Sequence, residues 1–374
     1  MTVYLDFNAT TPVLPEVADL VYKLMVEEFG NAGSRTHEYG VAAKRAVDLA
    51  RAQVAEIAKA EKTEVIFTCG ATESNNIAIL GLREFAESTG KKHIITSKIE
   101  HKAVLEPIEY LEKQGFEVTY LDATLDGLVD IQQLEAALRD DTVLVSIMHI
   151  NNETGVIQPI SEICQLLKNH EAYFHVDAAQ SFGKYPFDLE NTRIDFISAS
   201  GHKLYAPKGV GALIIRRRGF TKPPLKPIYF GGGQEKGLRP GTLATPLIAG
   251  FGLACQLASK NAEKWLSHVN ELKTSFIAAL TELGAEINGQ NTSPFVINFS
   301  VPGINSEAAM VKLKGIIAVS NGSACTSSSY TPSHVLTAMG LGSDRIAGAL
   351  RVSFGIETEP LPNAQIIQAL RDLL

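Results

Sequence analysis

The sequence has no closely spaced pair of cysteines. Its four, Cys69, Cys164, Cys255 and Cys325, lie far apart and form no CxxC motif. That spacing argues against a disulfide framework and a structural zinc site and leaves reduced thiols, with no metal expected. A long apolar run is also missing: no stretch approaches the length of a membrane span. The start, MTVYLDFNATTPV, carries Asp6 and polar residues where a secretory leader needs unbroken apolar sequence. A cytoplasmic location without membrane contact is expected. Basic residues are not in excess, since 34 of them against 41 acidic residues give a formal net charge of -7. Such a field disfavours direct, sequence-independent binding to nucleic acid. Repeats and low-complexity tracts are absent apart from one serine cluster.

What remains is an ordinary globular composition, 45% hydrophobic and 20% charged over 374 residues, enough for two or three domains. Short apolar runs rich in β-branched residues recur: EVIFT (64–68), HIITS (93–97), EVTYL (117–121), TVLVSIM (142–148), AYFHV (172–176), DFISAS (195–200) and GALII (211–215). They read as buried strands. Helical patterns alternate with them, as over 41–58, where Val47, Ala50, Val54 and Ile57 recur at steps of three and four while Lys44 and Arg45 face solvent. The order predicts an α/β sheet covered by helices on both faces. After the connection KPPLKPIYFGGG (222–233), a long helical pattern from Pro246 leads to a smaller α+β unit with strands FVINFS (295–300), IIAVS (316–320) and RVSF (351–354).

Four motifs carry chemistry. In SASGHKLYAPKGVG (198–211), Lys203 follows a strand and small residues, a setting for a Schiff-base lysine or, equally, for an exposed lysine in a turn. In HVDAAQ (175–180), Asp177 ends a strand, where an acid can bond a pyridinium nitrogen or cap a helix. FTCGATESNN (67–76) runs from a strand through Gly70 into a helix opened by Ala71 and Thr72, a turn that binds phosphate through backbone N–H groups. His101, after the HIITS strand, suits either a ring-stacking proton relay or a structural histidine. All four fall at the ends of successive strands, where α/β sheets bind ligands. A fifth stretch, SNGSACTSSS (320–329), sets Cys325 among serines, threonine and glycine with almost nothing apolar to pack it. A thiol so placed can ionise and reach a reactant.

In order along the chain, YLDFNATTP, FGNAGSRTHEYG, FTCGATESNN, ITSKIEHKAV, SIMHINNETGVIQPI, HVDAAQS, SGHKLYAPKGVGAL, LRPGT and SNGSACTS resemble the motifs of the cysteine desulfurases of the NifS/IscS type, within the class V aminotransferases. The resemblance implies a fold-type I pyridoxal-phosphate-dependent transferase that forms homodimers. Its large α/β domain, with a mostly parallel mixed sheet, would span 14–258. A smaller α+β domain would comprise 1–13 and 259–374 and carry the cysteine loop, 320–332. Lys203 would be the Schiff-base lysine, Asp177 the pyridinium partner, Gln180 the donor to the ring hydroxyl and His101 the stacking acid/base. Ala71, Thr72, Ser200 and His202 would hold the phosphate, with Thr242 of LRPGT reaching in from the other subunit. Asn152 would lie beside the ring, and Asn31 and Arg351 would grip the carboxylate of the substrate, L-cysteine. Cys325 would take its sulfur as a persulfide and L-alanine would be released. Cys69 stands where the family often has serine, and Pro240 where serine or alanine is frequent.

The sulfur would pass to acceptor proteins. FGNAGSRTHEYG and GLRPGTLATPLIAG resemble the desulfurases of the bacterial DNA phosphorothioation system (DndA type), and the chain stops at Leu374 without the longer docking segment of housekeeping relatives. The expected acceptor is therefore a phosphorothioation protein or an iron–sulfur protein of that pathway. The alternatives are a general donor for iron–sulfur clusters or tRNA thiolation, and a selenocysteine lyase.

Overall fold

The computed structural model describes residues 2–186, 193–321 and 331–374. Seven strands form the main sheet, in the order Val65–Thr68, Gly211–Ile215, Phe196–Ser200, Tyr173–Asp177, Thr142–Ser146, His93–Ser97, Glu117–Leu121. Gly211–Ile215 runs antiparallel to both its neighbours, Val65–Thr68 and Phe196–Ser200; the remaining pairings are parallel. The sheet is thus mixed and mostly parallel.

Alternation along the strands explains the helices on both faces. Phe67, Ile95, Val145, Ile197 and Ile214 enter one hydrophobic cluster, while Ile66, Ile94, Leu144, Phe196 and Leu213, one residue away in each strand, enter another. Each such side chain, fully buried, stabilises the fold by about 1.5–3 kcal/mol. The main-sheet runs read as strands in the sequence are strands, with ends moved by no more than one residue. TVLVSIM is the exception, because the strand ends at Ser146 and Ile147 and Met148 continue toward the site. The helix expected over 41–58 spans Glu38–Ala58.

The boundary expected at 258 falls inside one continuous helix, Thr245–Thr281. Its first part, with Phe251, Ala254 and Ala258, packs into the cluster on the main sheet, whereas Val269, Leu272 and Phe276 enter a third cluster around a small antiparallel sheet. A Cβ on Gly252 would stand 2.4 Å from Ala50 Cα, so glycine permits the close approach of this helix to the Glu38–Ala58 helix. In the small sheet Ala349–Ser353 pairs with Val296–Ser300, which pairs with Glu286–Ile287. The IIAVS run yields only the short strand Ile317–Ala318, since its partner Val3–Tyr4 is equally short.

The N-terminal segment joins both cores. Leu5 belongs to the third cluster and Phe7 to the first. Ser353 N donates to Leu5 O at 2.8 Å, and Thr11 N donates to His202 O at 3.0 Å. Residues 8–11 are thereby laid across the carboxyl ends of the main strands.

Candidate active site

The carboxyl ends of five main-sheet strands open into one cavity of about 560 Å³. Its lining includes Ala71, Thr72, His101, Asn152, Asp177, Gln180, Ser200, His202, Lys203 and Arg351, drawn from segments far apart in sequence. A crevice at the strand ends is where an open α/β sheet binds its ligand.

One wall is the turn from Val65–Thr68 into the helix Ala71–Leu80. Gly70 has φ 156 and ψ 179, a conformation open to glycine, and a Cβ on Gly211 would lie 2.7 Å from Gly70 Cα. Two glycine backbones therefore pass one another here. They leave the first N–H groups of the helix, Thr72 and the Ser200 hydroxyl around a common space, a ready anion cradle. The helix is capped by Gly70, so Thr72 has no capping duty. His202 Nδ1 lies 3.2 Å from Thr10 Oγ1, and burial together with Lys203 and Lys208 lowers its pKa to about 4. Beside this turn Cys69 also lines the cavity, and burial and the Glu73 carboxylate raise its thiol pKa. Arg239 Nε donates to Glu73 Oε1 at 3.1 Å, which ties the LRPGT loop to the same turn.

Asp177, at the end of Tyr173–Asp177, is buried and doubly held: Asn75 Nδ2 donates to Oδ2 at 2.8 Å and Ala179 N to Oδ1 at 2.9 Å. His101 is the N-cap of the helix Lys102–Glu112, with Nδ1 accepting from Ala103 N at 3.1 Å. The neutral ring therefore carries its proton on Nε2. Burial lowers the His101 pKa, with Asp177 pulling the other way and Lys203 adding to the depression. The capping role and the place in the cavity thus coexist in one residue. Lys203 Nζ donates to Asn8 O and, at 2.9 Å, to Ala9 O. Gln180 Nε2 donates to the same Asn8 carbonyl at 3.0 Å.

Arg351 enters from the small sheet. Its guanidinium donates to Asn152 O at 3.1 Å and to Asp6 Oδ1 at 2.7 Å, while its Nε–H is buried without a hydrogen-bond partner among the described residues. Asn31, whose Oδ1 accepts from Gly33 N at 2.8 Å, is exposed and lines no part of this cavity; Thr242, expected to reach the other subunit's site, is exposed and outside its own. Cys325 lies outside the described residues, as does most of the expected cysteine loop. The flanking residues are placed. Arg351 N donates to Ser320 O at 2.7 Å, Ser333 Oγ donates to Glu153 Oε2 at 2.5 Å, and His334 Nε2 donates to Glu100 O at 2.9 Å.

Asn8, Asn75 and Glu100 also stand at the site, and no motif of the sequence marks them. Asn8 contributes through its backbone carbonyl, for which no side-chain signal exists. Asn75 stands one turn beyond Ala71 in the quoted FTCGATESNN, and that helical step toward the sheet was the available clue. Glu100 is fully buried; its Oε1 accepts from Ser97 Oγ and Met148 N, both at 2.8 Å, and burial pushes its pKa up to about 8.

Pyridoxal phosphate fits this donor set. The glycine-lined anion cradle suits a phosphate, the braced Asp177 a ring nitrogen, and the buried Arg351 guanidinium a substrate carboxylate. Among the described residues no group of three or more His, Cys, Asp or Glu could hold a metal, and no helix is long and apolar enough to cross a membrane.

Comparison with known proteins agrees. The aminotransferase class-V family model matches residues 3–360. The cysteine desulfurase IscS of Vibrio cholerae serotype O1 is 46% identical over 360 residues, covering 95% of this chain and 88% of that relative. The crystal structure of DndA from Streptomyces lividans is 49% identical, with a TM-score of 0.82 over 93% of this chain and 98% of its own. SspA, solved in complex with cysteine, is 39% identical, with a TM-score of 0.84 over 96% of this chain and 99% of its own.

Proposed function

The chain belongs to the class-V aminotransferase family of pyridoxal-phosphate enzymes, and we propose that within it the chain is a cysteine desulfurase that converts L-cysteine to L-alanine and leaves a persulfide on Cys325. The observation that carries this reading is the convergence of Lys203, Asp177, His101 and Arg351 on one cavity. In the reaction the carbon–sulfur bond of cysteine breaks and a sulfur–sulfur bond forms with the Cys325 thiolate. A proton goes to the β-carbon, so the carbon is reduced and the cysteine sulfur oxidised.

Bound pyridoxal phosphate supplies an electron sink for the charge developed at the α-carbon. Ala71, Thr72, Ser200 and His202 would hold its phosphate, Asp177 its ring nitrogen, Gln180 its ring oxygen, and His101 and Asn152 its ring. Lys203 Nζ anchors it covalently and then moves the substrate's α-proton. Arg351 takes the substrate carboxylate, exchanging the Asp6 contact for it, with Asn31 assigned to the same group. His101 holds a proton at Nε2 for transfer to or from sulfur.

Cys325 is assigned as the nucleophile partly because the other thiols are unsuited. Burial pushes Cys164 up to about 11 and Cys255 higher still, and Cys69 is raised as well. Thiolate is the nucleophilic form. The described ends on either side of 322–330 also meet the site, at Arg351 on one side and at Glu100 and Glu153 on the other. Alanine release from L-cysteine by the cofactor-loaded protein tests the assignment, and no alanine would refute it.

We assign the protein to the cytoplasm as a homodimer in which Thr242 serves the partner's site. Tyr22, Met25 and Val26, at steps of three and four along one helix, are exposed, and so are Phe29 and Tyr39, whose rings lie 5.7 Å apart. Such an apolar patch suits a subunit interface. The sulfur acceptor is proposed to be a protein of the DNA phosphorothioation pathway, on the likeness to DndA and on an acidic net charge that suits relay through proteins. Likeness to IscS favours instead an iron–sulfur scaffold. Incubating enzyme that carries labelled persulfide with both classes of acceptor decides between them: label moving preferentially to the general scaffold rejects the phosphorothioation assignment.

A further inference from the structure

Lys184 lies behind the cavity and is 4% exposed. It sits four residues past Gln180 in a succession of tight turns, where Ser181 O accepts from Lys184 N at 2.9 Å and from Tyr185 N at 3.0 Å. Among the described residues its amine makes one hydrogen bond, donating to Gln180 Oε1 at 3.4 Å, and it lies 5.4 Å from the Phe295 ring centroid. At its other end the same amide donates through Nε2 to Asn8 O, the carbonyl that also accepts from Lys203 Nζ.

A carboxamide turned end for end keeps its shape, so only its partners decide which atom faces where. The ionised amine has no acceptor lone pair and a carbonyl has no hydrogen to give. With the lysine at one end and the Asn8 carbonyl at the other, Gln180 has one satisfied orientation. The reverse would set its oxygen against a carbonyl oxygen.

We propose that Lys184 is a positioning residue that, by donating to Gln180 Oε1, fixes the Gln180 N–H group toward the cavity as the donor to the cofactor's ring oxygen. The proposal rests on the assignment of Gln180 to that oxygen. A buried amine is a costly way to fill space, since an apolar side chain of similar length would occupy the same volume without desolvation. Burial, with Lys203 adding, pulls the Lys184 pKa down to about 7; the neutral amine gains a lone pair but keeps hydrogens to donate, and the Asn8 carbonyl at the far end still excludes the reversed amide.

The test is a double-mutant cycle read as the dissociation constant of pyridoxal phosphate from the apo-protein and as the thermal midpoint of that protein. Lys184→Met is expected to weaken cofactor binding about tenfold, as loss of one oriented hydrogen bond would, while the apo-protein's midpoint holds or rises. In a Gln180→Ala background the same substitution should change affinity by less than about twofold, because the group it orients is gone. Equal losses in both backgrounds, or unchanged affinity in Lys184→Met where Gln180→Ala does weaken binding, overturn the role of Lys184 alone. Unchanged affinity in Gln180→Ala removes the premise and the proposal with it. Lys184→Gln retains an N–H donor and is expected to keep affinity near that of the unaltered protein. Should Lys184→Met fail to fold, a folded Lys184→Gln that binds as weakly as Gln180→Ala overturns the proposal.

Discussion

Asn75 gives its side-chain N–H to Asp177 across 2.8 Å, joining the helix behind the phosphate cradle to the acid at the end of the strand Tyr173–Asp177. The bond holds the carboxylate in place, and among the described residues the buried Asn75 Oδ1 has no hydrogen-bond partner. Asn75→Ala should weaken pyridoxal-phosphate binding about tenfold by freeing Asp177 to turn. Titration of the apo-protein with cofactor measures it, and unchanged affinity would show that Ala179 N holds the carboxylate unaided.

Lys203 is the one lysine of the cavity whose amine reaches both Asn8 O and Ala9 O. Lys203→Ala should therefore retain no cofactor covalently after borohydride reduction, while noncovalent binding through the phosphate cradle persists. Covalent retention at another position, Lys208 above all, would move the assignment.

Among the described residues the buried Arg351 Nε–H has no hydrogen-bond partner, and the same guanidinium contacts Asp6. Arg351→Ala should raise the KM for L-cysteine by a factor corresponding to about 2–3 kcal/mol and leave cofactor affinity nearly unchanged. Equal losses in both constants would indicate general damage to the site.

Glu100 supplies a pH dependence. Its pKa in the folded protein, about 8, exceeds the ordinary 4.5 of a glutamate because burial outweighs the donors Met148 N and Ser97 Oγ. A raised folded pKa means that the group's contribution to stability is whole below pH 4.5 and is lost as pH climbs through 8. Glu100→Gln keeps the carbonyl acceptor and cannot ionise. Its thermal midpoint should thus gain on the unaltered protein as pH goes from 5 to about 8, and a difference constant across that range would contradict the burial argument.

The sheet was legible because strands buried on both faces must be apolar at nearly every position, and runs such as HIITS and GALII carry that mark. The lining of the candidate site was legible where a motif puts a particular side chain after a strand, as with Lys203, Asp177 and His101. It was not legible where the backbone contributes, as with the Asn8 carbonyl, or where a residue acts from behind, as with Asn75, Glu100 and Lys184, whose burial follows from long-range packing. The Thr245–Thr281 helix shows the same limit at the level of domains, since one uninterrupted helical pattern serves two cores and carries no punctuation between them.

In the proposed reaction sulfur leaves L-cysteine for Cys325. Mass spectrometry of peptides from enzyme treated with L-cysteine, compared with Cys325→Ser treated alike, tests it most directly. One added sulfur atom on the Cys325 peptide, with almost no alanine from Cys325→Ser despite bound cofactor, is the predicted result. Near-normal alanine release from Cys325→Ser, or the added sulfur on Cys69 instead, would contradict it.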